Sequence, residues 1–129
     1  MEVQGAFFCD SAYMDQTTGK MNVVGIYNEI GSKYFPTHLK ITSFVVLLEK
    51  SIFEDPPKEI HVDFIDEDGR KFYASETYTF EDNSKPDKNK IYRLTNLTFN
   101  TLGVYAANIF VDGNFIKSAK LIVKKDYAF

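Results

Sequence analysis

The chain lacks tryptophan altogether and has one cysteine, two arginines and two histidines among its 129 residues. A single cysteine cannot form an internal disulfide, so we expect a reducing, cytoplasmic location. Arginine supplies most of the bidentate contacts that proteins make to bases and phosphates. Its scarcity, together with a net charge of −3, argues against nucleic acid as a partner.

Long hydrophobic runs are missing as well, because the longest uncharged apolar stretch is FVVLL at residues 44–48. A membrane-spanning helix needs about 20 such residues, so we expect no membrane partner. The N-terminal MEVQ has neither the basic nor the apolar segment of a signal peptide, and no leader is expected. The length predicts one domain over residues 1–129.

Aromatic residues are abundant, since twelve phenylalanines and eight tyrosines make up 16% of the chain. Such side chains favour strands, and no window of the sequence has a helical period. The pattern predicts eight β-segments, each bounded by turn residues. They cover residues 5–14, 20–30, 39–50, 60–64, 70–80, 90–99, 104–112 and 115–124.

Eight strands joined mostly by short loops predict an all-β, antiparallel fold, either a two-sheet sandwich or a small barrel. The sandwich is favoured because LGVY at residues 102–105 precedes a final hairpin. Immunoglobulin-like domains have such a corner before their last two strands, and its tyrosine bonds back to the preceding connection. We therefore predict an immunoglobulin-like sandwich in which Tyr105 plays this part.

Alternation predicts which residues of the regular strands point inward. The inward sets are Ile60, Val62 and Phe64; Tyr105, Ala107, Ile109 and Val111; and Phe115, Ala119, Leu121 and Val123. Residues 44–48 are apolar on both faces, which is typical of a covered central strand and also of a strand in a subunit contact. Gly25 predicts a bulge in the second segment.

Three stretches are predicted to be irregular. The prolines in residues 55–57 end the third segment, because proline cannot donate to a sheet. Residues 81–89 predict a mobile loop, since they contain almost no hydrophobic side chains. Residues 127–129 predict a frayed tail, or else a C-terminus that fits a carboxylate-binding pocket.

A cysteine nucleophile would need Cys9 beside His38 or His61. Cys9 lies in the middle of a predicted strand, whereas activated thiols usually lie at helix N-termini or in electropositive clefts. His61 falls on the polar face of its strand. We therefore expect a buried thiol and an exposed histidine, no catalytic residue and no enzymatic activity.

Asp66, Glu67 and Asp68 put three carboxylates into one turn, and calcium takes about six to eight oxygen ligands. The commoner role of such a turn is structural, because aspartate hydrogen-bonds its own backbone there. Asp66 and Asp68 are the candidate metal ligands. No other cofactor is expected.

Asp10 shares the parity of Phe8 and Ala12, so one register of its strand would bury a carboxylate. The opposite parity, which includes Phe7 and Cys9, is equally apolar and would leave Asp10 on the other face. A structural role for Asp10 is favoured over a catalytic one in either register.

Three pieces of the N-terminal third carry a resemblance. They are AFFCDSA at residues 6–12, GKMNVVGIY at residues 19–27 and FP at residues 35–36. This pattern, mainly within residues 5–36, resembles a family of small uncharacterised bacterial β-sandwich proteins, a domain of unknown function. The resemblance implies a standalone cytoplasmic sandwich, and it brings no catalytic residues.

Two functional hypotheses follow. The first is a non-catalytic module that binds a protein partner or itself as a homo-oligomer, based on the doubly apolar residues 44–48 and on the outward Ile116 and Ile122. The alternative is a calcium-assisted module for a small ligand or carbohydrate, which uses the turn at residues 66–68 and an exposed tyrosine. An enzyme ranks third.

Overall fold

A computed structural model describes residues 2–49, 57–80 and 89–126 of the chain. Of these residues, 76% lie in strands and none in a helix, which confirms the predicted all-β class. Accordingly, this part of the chain contains no helix long and apolar enough to cross a membrane. The predicted loop at residues 81–88, the stop at residues 55–56 and the tail at residues 127–129 lie outside the described residues.

Nine strands are found in the described ranges, one more than predicted. They are β1 (Glu2–Met14), β2 (Met21–Tyr27), β3 (Glu29–Ser32), β4 (Thr37–Glu49), β5 (Glu59–Ile65), β6 (Lys71–Thr79), β7 (Lys90–Phe99), β8 (Gly103–Val111) and β9 (Asn114–Lys125).

The strands form two sheets. A four-stranded sheet has the order β2-β1-β4-β7, and a curled five-stranded sheet has the order β3-β9-β8-β5-β6. All pairings are antiparallel, as predicted, except that β3 runs parallel to β9.

The extra strand arises because the predicted segment at residues 20–30 divides between the sheets. β2 pairs with β1 up to Tyr27, and β3 pairs with β9 from Glu29 onward. Asn28 is the crossing residue, and its carbonyl accepts a hydrogen bond from the Ile122 N–H at 2.9 Å. Asn28 is the one turn-type residue at this crossing, and no glycine or proline accompanies it between Tyr27 and Ile30.

The inner faces of both sheets contribute to one hydrophobic core. Phe44 links them, because its ring centroid lies 4.8 Å from that of Phe8 in the same sheet and 5.8 Å from that of Phe64 in the other. The inward residues predicted on β5 and β8 are all buried.

On β9 the predicted faces are right at one end and wrong at the other. Ala119, Leu121 and Val123 are buried, but Phe115 is exposed and Ile116 packs against the core. One cause explains both errors, because the pairing of β8 with β9 shifts register between Ile109 and Phe110. A shift of one residue exchanges the two faces of a strand.

The predicted tyrosine corner is confirmed. The Tyr105 hydroxyl donates to the Thr101 carbonyl at 2.6 Å, across the turn that leads into β8. This bond fixes the start of β8 against the connection from β7. It also satisfies a hydroxyl whose ring is almost completely buried.

The predicted bulge at Gly25 is wrong. β1 and β2 keep the same offset from Phe8↔Tyr27 to Met14↔Met21. Gly25 has a φ of 70°, and a Cβ at this position would overlap the Asp10 carboxylate. Glycine is therefore required here by backbone conformation and by a close approach.

Candidate functional site

The outer face of the four-stranded sheet is apolar. Phe8, Phe44 and Tyr92 point into the core, so the residues that alternate with them point away from it. We call this surface the apolar face. It comprises Phe7, Cys9, Tyr13, Val24, Ile26, Ile41, Val45 and Ile91.

The middle of the apolar face is buried although no strand of the described ranges forms a layer above it. Cys9 on β1 and Val45 on β4 have no solvent exposure, although neither belongs to the core cluster. Cross-strand pairing explains this, because Cys9 lies opposite Ile26 while Val45 lies between Phe7 and Ile91. Small side chains on the central strands are thus covered by larger ones on their neighbours.

The covering residues themselves remain in water. Tyr13, Val24, Ile26 and Ile41 are between 53% and 63% exposed. Together they form a patch on the order of 400 Å², a size at which apolar patches on monomeric proteins are often functional. One charged residue lies on the same outer surface, because Arg93 is exposed and shares the outward side of β7 with Ile91.

The outer face of the five-stranded sheet is polar along β5 and β6, although Phe115 and Ile122 on β9 are exposed. His61 and Asp63 on β5 and Ser75 and Thr77 on β6 form one hydrogen-bonded cluster, which we call the polar cluster. The Asp63 Oδ1 atom contacts His61 Nε2 at 2.7 Å and accepts from the Ser75 hydroxyl at 2.6 Å. His61 Nδ1 lies 2.6 Å from the Thr77 Oγ1 atom.

Hydrogen bonds from this cluster stabilise the Asp63 carboxylate. The Ser75 hydroxyl lowers the pKa of Asp63, with additional lowering by the His61 bond and the charges of His61 and Lys71, while partial burial opposes the shift. The cluster links a hydroxyl, an imidazole and a carboxylate, as nucleophilic enzymes do. Here these groups lie along two adjacent strands and satisfy each other, and His61 also contacts the Phe110 ring at 5.9 Å between centroids.

Cys9 and the two histidines are far apart in the topology. Cys9 pairs with Ser43 in the four-stranded sheet, whereas His61 lies on the outer face of the other sheet. His38 Nδ1 contacts the Thr98 hydroxyl at 3.0 Å. Burial, with the nearby Asp10 charge, raises the pKa of Cys9, which disfavours the thiolate. The thiol is buried, as expected.

The carboxylates of the turn at residues 66–69 accept hydrogen bonds from backbone N–H groups. Asp66 Oδ1 accepts from the N–H groups of Asp68 and Arg70, each at 2.9 Å. Glu67 Oε1 accepts from the Val104 N–H at 2.7 Å. Within the described ranges, no group of three or more histidine, cysteine, aspartate or glutamate side chains is placed to hold a metal. Calcium binding by Asp66 and Asp68 stays a prediction, which titration with calcium would test.

Asp10 takes the parity of Phe8 but is exposed. It lines a cavity of about 190 Å³ together with Tyr27, Glu29, Ile30, Leu39, Ile41 and Thr42. Beside it, the Tyr27 and Thr42 hydroxyls are hydrogen-bonded, and Thr42 Oγ1 donates to the Cys9 carbonyl at 2.8 Å. These bonds link β2, β4 and β1, so the polar atoms next to Asp10 stabilise the packing of these strands.

Sequence reasoning missed both outer-face clusters. The polar cluster had a signal, because His61 and Asp63 alternate on one strand of a predicted hairpin and Ser75 and Thr77 alternate on the other. The apolar face had only a partial signal, in the doubly apolar residues 44–48, because its members come from four strands whose order depends on long-range pairing.

Comparison with known proteins gives one family. No curated protein and no solved structure matches the chain. A family model does match, over residues 4–124, and its description is a family of unknown function. The predicted resemblance to an uncharacterised family is therefore confirmed, and the chain belongs to the family of unknown function DUF6941.

Proposed function

We propose that this protein is a non-catalytic interaction module that self-associates through the apolar face. The observation that carries the proposal is the apolar surface on which Tyr13, Val24, Ile26 and Ile41 are more than half exposed. Exposed apolar patches of this kind mark interaction sites.

A second copy of the chain is the partner that this surface fits best. In a two-fold symmetric dimer each patch meets its own copy, so any unbalanced charge would face the same charge. Apart from the exposed Arg93 on β7, the apolar face has no charge to repel its copy. A partner of another sequence would usually be selected by charge complementarity, for which this face offers only Arg93 at its border.

The size of the patch sets the expected strength. Two copies would remove on the order of 800 Å² from water, which lies below the range of stable, specific interfaces. We therefore propose a weak and reversible dimer. Residues around the patch, including the half-buried Phe7 and Ile91, would extend the contact area.

Two further properties belong to this proposal. The architecture is an immunoglobulin-like sandwich, which the tyrosine corner at Tyr105 and the core shared by both sheets support. The location is the cytoplasm, which the single buried thiol supports.

The test uses two lysine substitutions, one at a valine and one at a leucine whose side chains are equally exposed. Val24 on the apolar face and Leu102 outside it are both 58% exposed. Sedimentation velocity of the wild type should show a mass that rises with concentration into the high micromolar range. Val24→Lys should abolish the rise, and Leu102→Lys should leave it unchanged. A wild type that stays monomeric, or equal effects of both substitutions, would overturn the proposal.

A further inference from the structure

A seam between the two sheets is open where the chain crosses at Asn28. The pairing of β1 with β2 begins at Phe8, so the earlier part of β1 has a free edge on that side. The pairing of β9 with β3 begins at Ile122, so the earlier part of β9 has one as well. Within residues 2–49, 57–80 and 89–126, no strand occupies either edge.

A cavity of about 430 Å³ opens at this seam. Its lining comes from β1, β9 and the crossing, and consists of Ala6, Phe7, Phe8, Ile26, Tyr27, Asn28, Ala119 and Lys120. Ala6 and Ala119 have the smallest side chains in the lining, which leaves space in the cavity beside the aromatic rings. The cavity is large enough for apolar side chains of another segment.

The free edge of β9 is positively charged. Lys117 and Lys120 are exposed, and no acidic group in the described parts of the chain lies within ion-pair distance of either. Further along the same strand, where β3 does cover the edge, Lys124 donates to Glu29 at 2.9 Å. The covered part of the edge thus has an acidic partner, and the free part has none among the residues that the structure describes.

We propose that an extended segment of a protein partner, with apolar and acidic residues in alternation, adds as a strand to the free edge of β9. The alternation follows from β9 itself. Ala119 and Leu121 are buried and point inward, whereas Lys120 between them is exposed. A strand beside them places its inward side chains at the cavity and its outward side chains next to Lys120.

Lysine on a free edge has another known use, which is to prevent uncontrolled pairing between strands. The two roles predict opposite results with an acidic peptide. A lysine that only protects the edge gives no saturable binding. A lysine that recognises an acidic strand gives binding that depends on its charge and on the peptide backbone.

The probe is a blocked heptapeptide of alternating glutamate and isoleucine, titrated into the full chain by calorimetry. Saturable binding is expected for this peptide. It should be lost when alternate peptide nitrogens are methylated, because strand addition needs their N–H groups. A peptide with lysine in place of glutamate should not bind.

Variants of the protein locate the site. Lys120→Glu should weaken binding about tenfold or more, because the charge that faces the peptide is reversed. Lys20→Glu, in the exposed turn between β1 and β2, is the matched control and should leave the affinity unchanged. Val24→Lys should also bind normally, which separates this site from self-association through the apolar face.

Three results would overturn the proposal. They are the absence of binding at millimolar peptide, equal binding of the methylated peptide, and equal loss in the Lys20→Glu control. Nitrogen-proton NMR spectra of the wild type give a second measurement. Peptide-induced shifts should concentrate on residues 114–121, and shifts confined to other strands would equally contradict the assignment.

Discussion

The outer faces of the two sheets differ in how their side chains are stabilised. On the four-stranded sheet, Cys9 and Val45 are as inaccessible as core residues, and they lie opposite larger side chains on the neighbouring strands. On the outer face of the five-stranded sheet, His61 forms hydrogen bonds with Asp63 and Thr77. Both sheets alternate inward and outward side chains, so alternation alone does not make one face polar.

The difference concerns how each face interacts with water. A polar face with its hydrogen bonds satisfied is stable in water and needs no cover. An apolar face leaves hydrophobic area exposed, and that area is stabilised only when another surface removes it from water. The four-stranded sheet thus leaves Val24, Ile26 and Ile41 in water, whereas His61 and Asp63 on the other sheet are already hydrogen-bonded.

The largest expected effect comes from placing a charge in the middle of each outer face. Val45→Asp should lower the free energy of unfolding by about 3 kcal/mol or more, because it buries an unpaired carboxylate. Ala106→Asp, on the central strand β8 opposite Lys120, should cost less than about 1 kcal/mol. Urea denaturation measures both. Should Val45→Asp not fold, Val45→Thr should still lose about 1–3 kcal/mol. Equal costs on the two faces would remove the distinction.

A second contrast concerns two left-handed glycines. Gly25 in β2 and Gly69 in the β5–β6 turn have φ values of 70° and 79°. Alanine at Gly69 meets open space and should cost about 1–2 kcal/mol through backbone strain alone. Alanine at Gly25 should cost about 1 kcal/mol more, because the Asp10 carboxylate must also move. Thermal unfolding of both variants measures the difference, and a smaller loss at Gly25 would contradict it.

A third contrast uses two tyrosines whose exposures are 4% and 5%. Tyr105 donates to Thr101, whereas the Tyr92 hydroxyl has no hydrogen-bond partner among the described residues, and its burial raises its pKa. Tyr105→Phe should therefore lose about 1–2 kcal/mol of stability. Tyr92→Phe removes an unsatisfied group and should be neutral or slightly stabilising. Chemical denaturation at neutral pH measures both changes in stability. A larger loss for Tyr92→Phe than for Tyr105→Phe would contradict the expectation.

The smallest expected effect is in the polar cluster. Asp63→Asn should cost about 1 kcal/mol near neutral pH, because charge-assisted bonds become neutral ones. Asp68→Asn, an exposed carboxylate in the turn, is the control and should cost less than about 0.5 kcal/mol.

The pH dependence of this effect has a fixed sign. The folded-state pKa of Asp63 lies below its ordinary value of 3.8, so the stabilisation is complete above that value. It is lost as the pH falls through the lower folded-state pKa. The difference between wild type and Asp63→Asn should therefore be constant above about pH 5 and shrink below pH 3.8. A difference that grows in acid would contradict the sign.

The last third of the fold was predictable from sequence because its contacts are local. The tight turn at residues 112–114 joins β8 and β9 directly, so alternation identified Tyr105, Ala107 and Ile109 as inward. The register shift beside Phe110 broke the pattern at its end and exposed Phe115. Nothing in the hydrophobic pattern reports such a shift, because the pattern has the same period on either side.

The candidate sites were less predictable because they depend on distant pairings. The doubly apolar residues 44–48 suggested either a covered strand or a contact surface, and Phe44 and Val45 point to opposite sides. Which neighbours flank that strand follows only from the sheet order. The free edge of β9 likewise depends on where β3 joins it, at a crossing marked by Asn28 alone.

The parallel pairing of β3 with β9 has a consequence for synthesis of the chain on the ribosome. Glu29 and Lys124, which join these strands, are separated by 95 residues. The four-stranded sheet also needs β7, from the last third of the chain. Neither sheet can be completed while the C-terminal strands are still within the ribosomal exit tunnel. Until β7 and β9 emerge from the tunnel, the earlier strands lack their partners and a nascent chain presents unpaired edges to chaperones.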